Sequence, residues 1–543
     1  MAPTRRLRRV LLLAALLPIS IAVLFAPGSQ ASPAASEWAE PIGLKKAPTP
    51  PTPFRRLRDA IIERLWSIPP QSRPKPCHAR QSAAPANYRT RFGNDVVLRF
   101  SIQSHDELKA LSDAADTLYL DIWDMSREWV DIRLSKDVVP SLLALLPPSL
   151  SIAHTPLMHD LAQAVYDTYP QNTHSPQWLG EAPPSPLQPN AVSPAHDVFF
   201  DEYQPLSVLY PWLRLMAAMF PNHTRLTSIG LSAEGRDIPA LIIGARPPDG
   251  DEEQRKTIIV AAGTHAREWI SISTAAYVAW SLLTGYGEPH APDITDVLNH
   301  FDFVILPVVN PDGYEYSWST DRLWRKNRQP TTLPFCPGID INRAFPFAWD
   351  GQSSADNPCS EEFAGSGPLE AVEAQRVIDW AGNHSSQADF IAFLDLHSYS
   401  QQILYPYGFT CNFEPPNLED LEEVALGIAK SFRLTSGHFY SVGSACQDSA
   451  MSNRKAESKS MRQNLFAQGG SALDFFYHDL AVKYAYQIKL RDTGTYGFLL
   501  PKQYILPTGI EAFEAVLGLG RWLLSNRGIE RYEDAKAGIL VQA

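Results

Sequence analysis

The chain has 543 residues, of which 45% are hydrophobic and 20% are charged, and its net charge is −12. This length exceeds what one compact core supports, so we expect one large domain and a smaller one. The acidic balance, with a pI near 5.6, excludes a general basic surface for nucleic acid or anionic lipid.

The N-terminus consists of an arginine-rich start and then an apolar run over residues 10–26. Small residues follow around Ala31 and Ser32. The pattern is typical of a secretory signal peptide over residues 1–31, so we expect a secreted or vacuolar protein without membrane attachment after cleavage. A membrane anchor is the alternative because the run approaches spanning length, but Pro18 and the small residues favour cleavage.

Two proline-rich stretches divide the chain that follows. Residues 32–88 are interpreted as a linker, and residues 173–198 as a connecting segment open to proteolysis. Between them, residues 89–172 show strand and helix patterns in the order βαββαβ, with Ser104 as a helix cap and the last strand at residues 150–154. This order predicts a small open sandwich.

The large domain covers residues 199–530, and residues 531–543 form a tail. Buried-type strands alternate with helical runs in this domain, which predicts an α/β fold with a mixed, mainly parallel sheet covered by helices. In such sheets the chemistry gathers at the carboxyl ends of the strands. Two of these ends carry candidate ligands, namely His265 with Glu268 and, on another strand, His397.

These three side chains are of the types that bind zinc. An imidazole and a carboxylate three residues apart at the start of a helical turn can both reach one cation, and zinc accepts such a set of nitrogen and oxygen ligands. The HxxE pair alone is weak evidence for a metal site, because about one such pair is expected by chance in a chain with fourteen histidines. A lone histidine at a strand end is more often structural.

Further motifs strengthen the assignment. In order along residues 199–524 they are HAREW, NPDGY, RLWRKNR, DINR, HSYSQ, YPYG and LRDTG. With these motifs the chain resembles the pancreatic-type zinc carboxypeptidases, and it is similar to the fungal inactive carboxypeptidase-like proteins associated with cell-wall organisation. The βαββαβ unit then resembles the activation segment, or prodomain, that covers the cleft in precursors of this family.

The resemblance implies a role for each matching residue. His265, Glu268 and His397 would bind one Zn²⁺ and leave a fourth position for water. Asn342 and Arg343 would clamp the terminal carboxylate of a substrate. Arg325 would stabilise an oxyanion. The residues that line the cleft would be Arg267, Ser398 and Tyr399.

The five cysteines leave at least one unpaired in an exported chain. Cys77, in the linker, is the expected spare. Sequons at Asn222 and Asn383 predict glycosylation on the secretory route. The resemblance implies a disulfide around the DINR loop between Cys336 and Cys359. It implies a second disulfide, which some members of the family have, between Cys411 and Cys446.

The chain departs from the family pattern in its catalytic machinery. Working members place a general-base glutamate two residues before the LRDTG arginine, and here that position is Lys489. Members also place a mobile tyrosine before the GGS turn, but counting back from Gly469 gives Leu465. The pocket-floor position before Asp474 is Leu473, which favours apolar C-terminal side chains.

A lysine at the base position affects both proton transfer and metal binding. A protonated ammonium cannot accept a proton from zinc-bound water. It also repels the metal, since a unit charge roughly 5 Å from Zn²⁺ costs about 7 kcal/mol at an effective dielectric near 20. We therefore expect weakened zinc affinity.

Three functions are compatible with this sequence. The leading hypothesis is a monomeric, secreted, zinc-binding pseudoenzyme that binds peptide or protein C-termini and acts in cell-wall organisation. The first alternative is an active carboxypeptidase that uses neutral Lys489 or a differently placed base. The second alternative is a structural scaffold without a metal.

Overall fold

The computed structural model describes residues 84–126, 128–170, 198–245, 255–349, 357–446 and 469–525. Several predicted features lie outside these ranges: the signal peptide, nearly all of the 32–88 linker with Cys77, the connecting segment up to residue 197, the lid position Leu465 and the tail. Among the described residues, no helix is both long enough and apolar enough to cross a membrane.

Residues 84–170, here called the N-terminal domain, contain four strands and five helices. The strands are β1 (Asp95–Ser101), β2 (Asp121–Met125), β3 (Trp129–Ser135) and β4 (His154–Met158). The helices are α1 (Tyr88–Phe92), α2 (His105–Leu118), α3 (Val139–Leu145), α4 (Pro148–Ser151) and α5 (Leu161–Thr168). The strands pair antiparallel in the order β2-β3-β1-β4, and side chains of β1 and β3 share an apolar core with α2 and α3.

The N-terminal domain agrees with the predicted order of elements and differs in one position. Ser104 caps α2, since its Oγ accepts a hydrogen bond from the Glu107 N–H at 3.2 Å. The strand predicted at residues 150–154 was wrong, because Pro148 starts the short helix α4 and delays the strand until His154. The sequence did not predict α1 and α5.

Residues 198–525, here called the C-terminal domain, contain one large sheet and its covering helices. The strands are β5 (Thr224–Leu231), β6 (Asp237–Ile243), β7 (Arg255–Ala262), β8 (Asp302–Leu306), β9 (Ala388–Ser398), β10 (Gln402–Tyr405), β11 (Ser441–Ser444) and β12 (Tyr484–Leu490). The helices are α6 (Leu206–Met219), α7 (Trp269–Gly285), α8 (Pro292–His300), α9 (Pro311–Ser319), α10 (Val372–His384), α11 (Leu418–Ser436), α12 (Ala472–His478) and α13 (Ile505–Ser525).

The large sheet is mixed, with a parallel centre. Its strand order is β11-β10-β12-β9-β7-β8-β6-β5. Strands β12, β9, β7 and β8 run parallel, whereas β10 pairs antiparallel with β12, and β6 pairs antiparallel with β5 and β8. The predicted α/β fold with a mixed, mainly parallel sheet is confirmed.

Three neighbouring strands bring the candidate site together. Strand β9 lies between β7 and β12, and all three run parallel. At its end, β7 leads into a turn at Gly263, whose φ of +65° favours glycine and whose added Cβ would lie 2.8 Å from Ile272. The turn carries the HAREW segment beside His397 on β9, and His397 pairs in register with Lys489 on β12.

The predicted disulfides form, and both predicted glycosylation sites are at the surface. Bridges join Cys336 to Cys359 and Cys411 to Cys446, which confirms the pairing. Asn222 and Asn383 are exposed, so a glycan could reach either, and glycosylation stays a prediction.

One continuous apolar cluster includes residues of both domains. From the N-terminal domain it contains Trp123 and Tyr169, among others. Tyr169 is buried with its ring edge against Trp269 and Trp318, at centroid distances of 5.2 and 5.6 Å. Its hydroxyl donates a hydrogen bond to the Ser317 carbonyl at 3.0 Å. The N-terminal domain is therefore packed against the larger one through a core, not through surface polar contacts alone.

Candidate metal centre

The structure brings His265, Glu268 and His397 to one point. Their candidate ligand atoms all lie within 4.8 Å of one another, and all three side chains are buried. His265 Nδ1 is 2.8 Å from Glu268 Oε1, and His397 Nδ1 is 3.0 Å from Glu268 Oε2. The two Nδ1 atoms are 3.2 Å apart. Two nitrogens and a carboxylate thus face a common centre.

The outer nitrogen of each histidine faces a second carboxylate. His265 Nε2 lies 3.0 Å from Asp340 Oδ1, and His397 Nε2 lies 2.9 Å from Asp395 Oδ2. Such carboxylates orient the imidazoles of metal sites by holding the proton on the outer nitrogen. With the proton there, the lone pair of each Nδ1 points to the common centre.

This donor set fits a zinc ion. Tetrahedral bonds of about 2.0–2.1 Å place neighbouring ligand atoms roughly 3.3 Å apart, close to the three donor distances above. Two nitrogen lone pairs facing each other at 3.2 Å repel unless a proton or a cation lies between them. His265, Glu268 and His397 would hold the ion and leave one position for water, and a zinc ion bound there would supply a Lewis acid.

The charges around the site favour a cation at its centre. Burial lowers the pKa of His397, but the carboxylates of Asp395 and Glu268 outweigh burial and raise it to about 10. Burial raises the pKa of Asp340, yet Arg325 and His265 hold it well below its usual range. Asp340 therefore retains its negative charge, and the imidazole of His397 holds a proton unless a metal replaces it.

The DINR turn positions the predicted clamp. Asp340 caps this turn by accepting a hydrogen bond from the Asn342 N–H at 3.1 Å, and it also pairs with Arg325 at 2.8 Å. The guanidinium of Arg343 lies 2.8 Å from a carboxylate oxygen of Glu362. The three clamp and oxyanion residues are thus close to one aspartate, and a carboxylate of the same domain already contacts Arg343.

Two of the predicted lining residues contact the N-terminal domain. Arg267 Nη1 lies 2.9 Å from Asp121 Oδ1, and the Tyr399 hydroxyl donates to Asp131 Oδ2 at 2.8 Å. The third, Ser398, donates its backbone N–H to Glu268 Oε2 at 3.1 Å. Acidic side chains of the N-terminal domain therefore lie in the cleft beside the candidate metal site.

Lys489 occupies the same strand end as the metal-site histidine. It pairs in register with His397 on the adjacent parallel strand, so the two side chains leave the sheet on the same face. Its Nζ lies 4.0 Å from Asp124 Oδ1 of the N-terminal domain. Leu473 is buried in α12. The structure thus places Lys489 in register with one candidate metal ligand and beside an aspartate of the N-terminal domain.

Sequence reasoning gave no role to several residues that define the site. Asp395 stands two residues before His397 on one strand, and this spacing puts both on the same face, so it could have been found. Asp340 is the first residue of the DINR motif, in which the resemblance implies roles only for Asn342 and Arg343. Glu362 and Asp124 carry no local signal, because their contacts join segments far apart in the chain.

Comparisons relate this chain to known proteins. Residues 209–515 match the family model described as zinc carboxypeptidase. A relative from Ajellomyces capsulatus named "Inactive metallocarboxypeptidase ECM14" is 50% identical over 513 residues, which is 92% of this chain and 84% of that protein. A relative of the same name from Uncinocarpus reesii is 51% identical over 537 residues, 94% of this chain and 90% of that protein.

Solved structures share the fold. The crystal structure of thrombin activatable fibrinolysis inhibitor matches this chain with a TM-score of 0.64 and 26% identity. The match covers 80% of this chain and 100% of the inhibitor chain. The structure of carboxypeptidase A from Helicoverpa armigera matches with a TM-score of 0.63 and 24% identity. This match covers 79% of this chain and 97% of the carboxypeptidase chain. The second likeness supports the fold alone.

Asp395→Asn should weaken zinc binding about 10- to 100-fold, because loss of an outer carboxylate lowers the basicity of the ligating imidazole and frees its orientation. Competition with a fluorescent chelator measures this affinity. Asp389→Asn is the matched control, since this exposed residue lies near the start of the same strand and should change the affinity less than twofold. Equal effects of the two substitutions would contradict the supporting role of Asp395.

Zinc binding should release about one proton at neutral pH. Without metal the pKa of His397 lies at about 10 instead of its ordinary 6.5, and zinc needs the neutral imidazole. Zinc affinity should therefore rise by up to about tenfold per pH unit toward pH 10. The stabilisation of metal-free protein by this group is complete below pH 6.5 and declines as the pH rises through 10.

Isothermal titration calorimetry in two buffers with different ionisation enthalpies counts the released protons. His397→Gln removes both the titrating group and one of the three candidate ligands, so it should bind zinc more weakly and release no proton from this position. Zinc binding by the unmodified protein without proton release would contradict the charge balance described here.

Proposed function

Because the chain belongs to the zinc carboxypeptidase family, we propose that it is an inactive, zinc-binding member that holds peptide or protein C-termini without cleaving them. One observation carries this proposal. Lys489 stands two residues before the LRDTG arginine, where the resemblance puts the general base. The three candidate metal ligands lie together, and Asn342 follows the Asp340 cap beside Arg343.

Loss of activity follows from how the nearby carboxylates are engaged. Glu268 would be a metal ligand, and Asp340 and Asp395 lie against the outer nitrogens of the histidines. Each therefore has a structural task that conflicts with proton transfer from metal-bound water. Lys489 itself is paired with Asp124. Relatives about 50% identical that are named inactive metallocarboxypeptidases support the same conclusion.

Binding of C-termini is supported by the clamp arginine. Arg343 contacts Glu362, whose side chain is 49% exposed. Glu362 is the exposed partner of this pair, whereas the Arg343 side chain is 10% exposed, so a terminal carboxylate can reach the guanidinium by replacing Glu362. The planar guanidinium then binds both carboxylate oxygens. Leu473 at the predicted pocket floor favours ligands with an apolar last residue.

The proposed location and role have separate support. The signal-like N-terminus and the two disulfides are typical of the secretory route. We propose a secreted or vacuolar monomer. A role in cell-wall organisation is supported by the resemblance to fungal inactive carboxypeptidase-like proteins.

Two other functions differ in measurable ways. An active carboxypeptidase would release single C-terminal amino acids in a reaction that chelators stop. A structural scaffold would contain no metal after purification. Elemental analysis of the purified chain separates the scaffold from the other two functions, and we expect one zinc per chain.

The purified protein should release no amino acid from peptides with apolar or acidic C-termini, because the general base is absent. Lys489→Glu should restore little turnover, since Leu465 stands where members of the family have the mobile tyrosine. Chromatography of reaction products over hours measures both. Chelator-sensitive release by the unmodified protein would refute inactivity, and family-level turnover in the variant would refute the importance of the tyrosine.

Peptides with a free C-terminus should bind about tenfold or more tightly than their amidated forms, because charge-assisted hydrogen bonds to Arg343 require the carboxylate. Arg343→Ala should remove this difference, and Glu362→Gln should raise affinity about two- to fivefold by removing the competing carboxylate. Fluorescence anisotropy measures the binding. Arg521→Ala, an exposed arginine paired with Asp293, should change nothing. Equal binding of free and amidated peptides would overturn the proposal.

A further inference from the structure

The cleft of the C-terminal domain is a docking surface for carboxylates of the N-terminal domain. Three aspartates of the β2–β3 hairpin reach into it. The contacts are Arg267 Nη1 with Asp121 Oδ1 at 2.9 Å, Tyr399 Oη with Asp131 Oδ2 at 2.8 Å, Ser400 Oγ with Asp124 Oδ1 at 2.8 Å, and Lys489 Nζ with Asp124 Oδ1 at 4.0 Å.

Two of these aspartates are buried and need compensation. Asp124 and Asp131 are 7% and 0% exposed, and a buried carboxylate is costly without donors or a cation. Asp131 is paired with Arg99 of its own domain at 2.6 Å. Asp124 accepts hydrogen bonds from Ser400 and Trp129. The ammonium of Lys489 is the C-terminal domain's charge beside Asp124.

The sign of the charge at position 489 affects the contact with Asp124. A glutamate there, as in working members of the family, would place a second carboxylate beside Asp124. Like charges facing each other across an interface disfavour association, and opposite charges favour it. The lysine that removes the general base therefore also changes a repulsive contact with the N-terminal domain into an attractive one.

Apolar contacts extend the same interface. Trp123, next to Asp124, packs edge-on against Phe498 with ring centroids 5.1 Å apart. Gly497 permits this approach, since its φ is +53° and an added Cβ would lie 3.1 Å from the Trp123 ring. Tyr169 is buried among aromatic rings of the larger domain. Buried aromatic anchors with satisfied polar partners are typical of tight interfaces.

We propose that Lys489 is a docking residue that holds the acidic β2–β3 hairpin in the cleft through its charge beside Asp124. Lys489 then binds Asp124, and it does not take the role of the family's glutamate, which activates a water molecule. The ion pairs of Arg343 described here are with Glu362 and Asp340 of its own domain, so the hairpin contacts given above do not involve this clamp residue.

The test uses the full-length chain with a specific protease site inserted into residues 173–197. After complete cutting, the two pieces of the unmodified protein should elute together in gel filtration at micromolar concentration. Lys489→Glu should weaken their association about 10- to 100-fold, because it places two carboxylates side by side. Lys489→Met, which keeps the apolar stem, should weaken it less.

Two controls separate a direct contact from general damage. Lys483→Glu, directly before β12 and near Asp420 of the same domain, should leave the association unchanged within twofold. Asp124→Asn keeps an oxygen that can accept a hydrogen bond from Ser400. In a chain that carries Asp124→Asn, the loss of association caused by Lys489→Glu should be at least about fivefold smaller than in the otherwise unmodified chain. Circular dichroism of the uncut variants verifies that they fold.

The outcomes are decisive in both directions. Co-elution of the cut unmodified protein, together with loss of association in Lys489→Glu and its suppression by Asp124→Asn, supports the proposal. Separation of the cut unmodified pieces at micromolar concentration would overturn it. Equal association of the Lys489→Glu and unmodified proteins, or an undiminished effect in the Asp124→Asn background, would show that Lys489 does not dock the hairpin.

Discussion

The rest of this structure depends on a buried cluster of negative charge at the ends of β7 and β9. Glu268 lies between two imidazoles, and each imidazole faces a further carboxylate, Asp340 or Asp395. Charges this deeply buried are stable only when opposite charge and hydrogen bonds surround them. A metal ion or a proton at the centre and Arg325 at the side provide this compensation.

The same requirement extends outward to the N-terminal domain. Its hairpin aspartates, of which Asp124 and Asp131 are buried, meet Arg267, Tyr399 and Lys489 across the cleft. Positive and polar groups of one domain thus satisfy carboxylates of the other. Under our proposal, Lys489 supplies positive charge beside Asp124 that a glutamate at this position could not supply.

The sequence was informative wherever contacts are local or periodic. The alternation of buried strands with helices predicted the mixed sheet, and Ser104 predicted the start of α2. His265 with Glu268 could be placed because both follow one strand. The strand at residues 150–154 was misplaced, since Pro148 allows a helical turn that apolar patterning alone does not reveal.

The sequence by itself determined the family-type motifs, the three candidate ligands and the absence of a glutamate at position 489. These features depend on residue identity and spacing along single strands. Only the tertiary structure decided that Glu362 contacts the clamp arginine and that Asp124 faces Lys489. Both contacts join segments far apart in the chain, where the folded packing sets which charges meet.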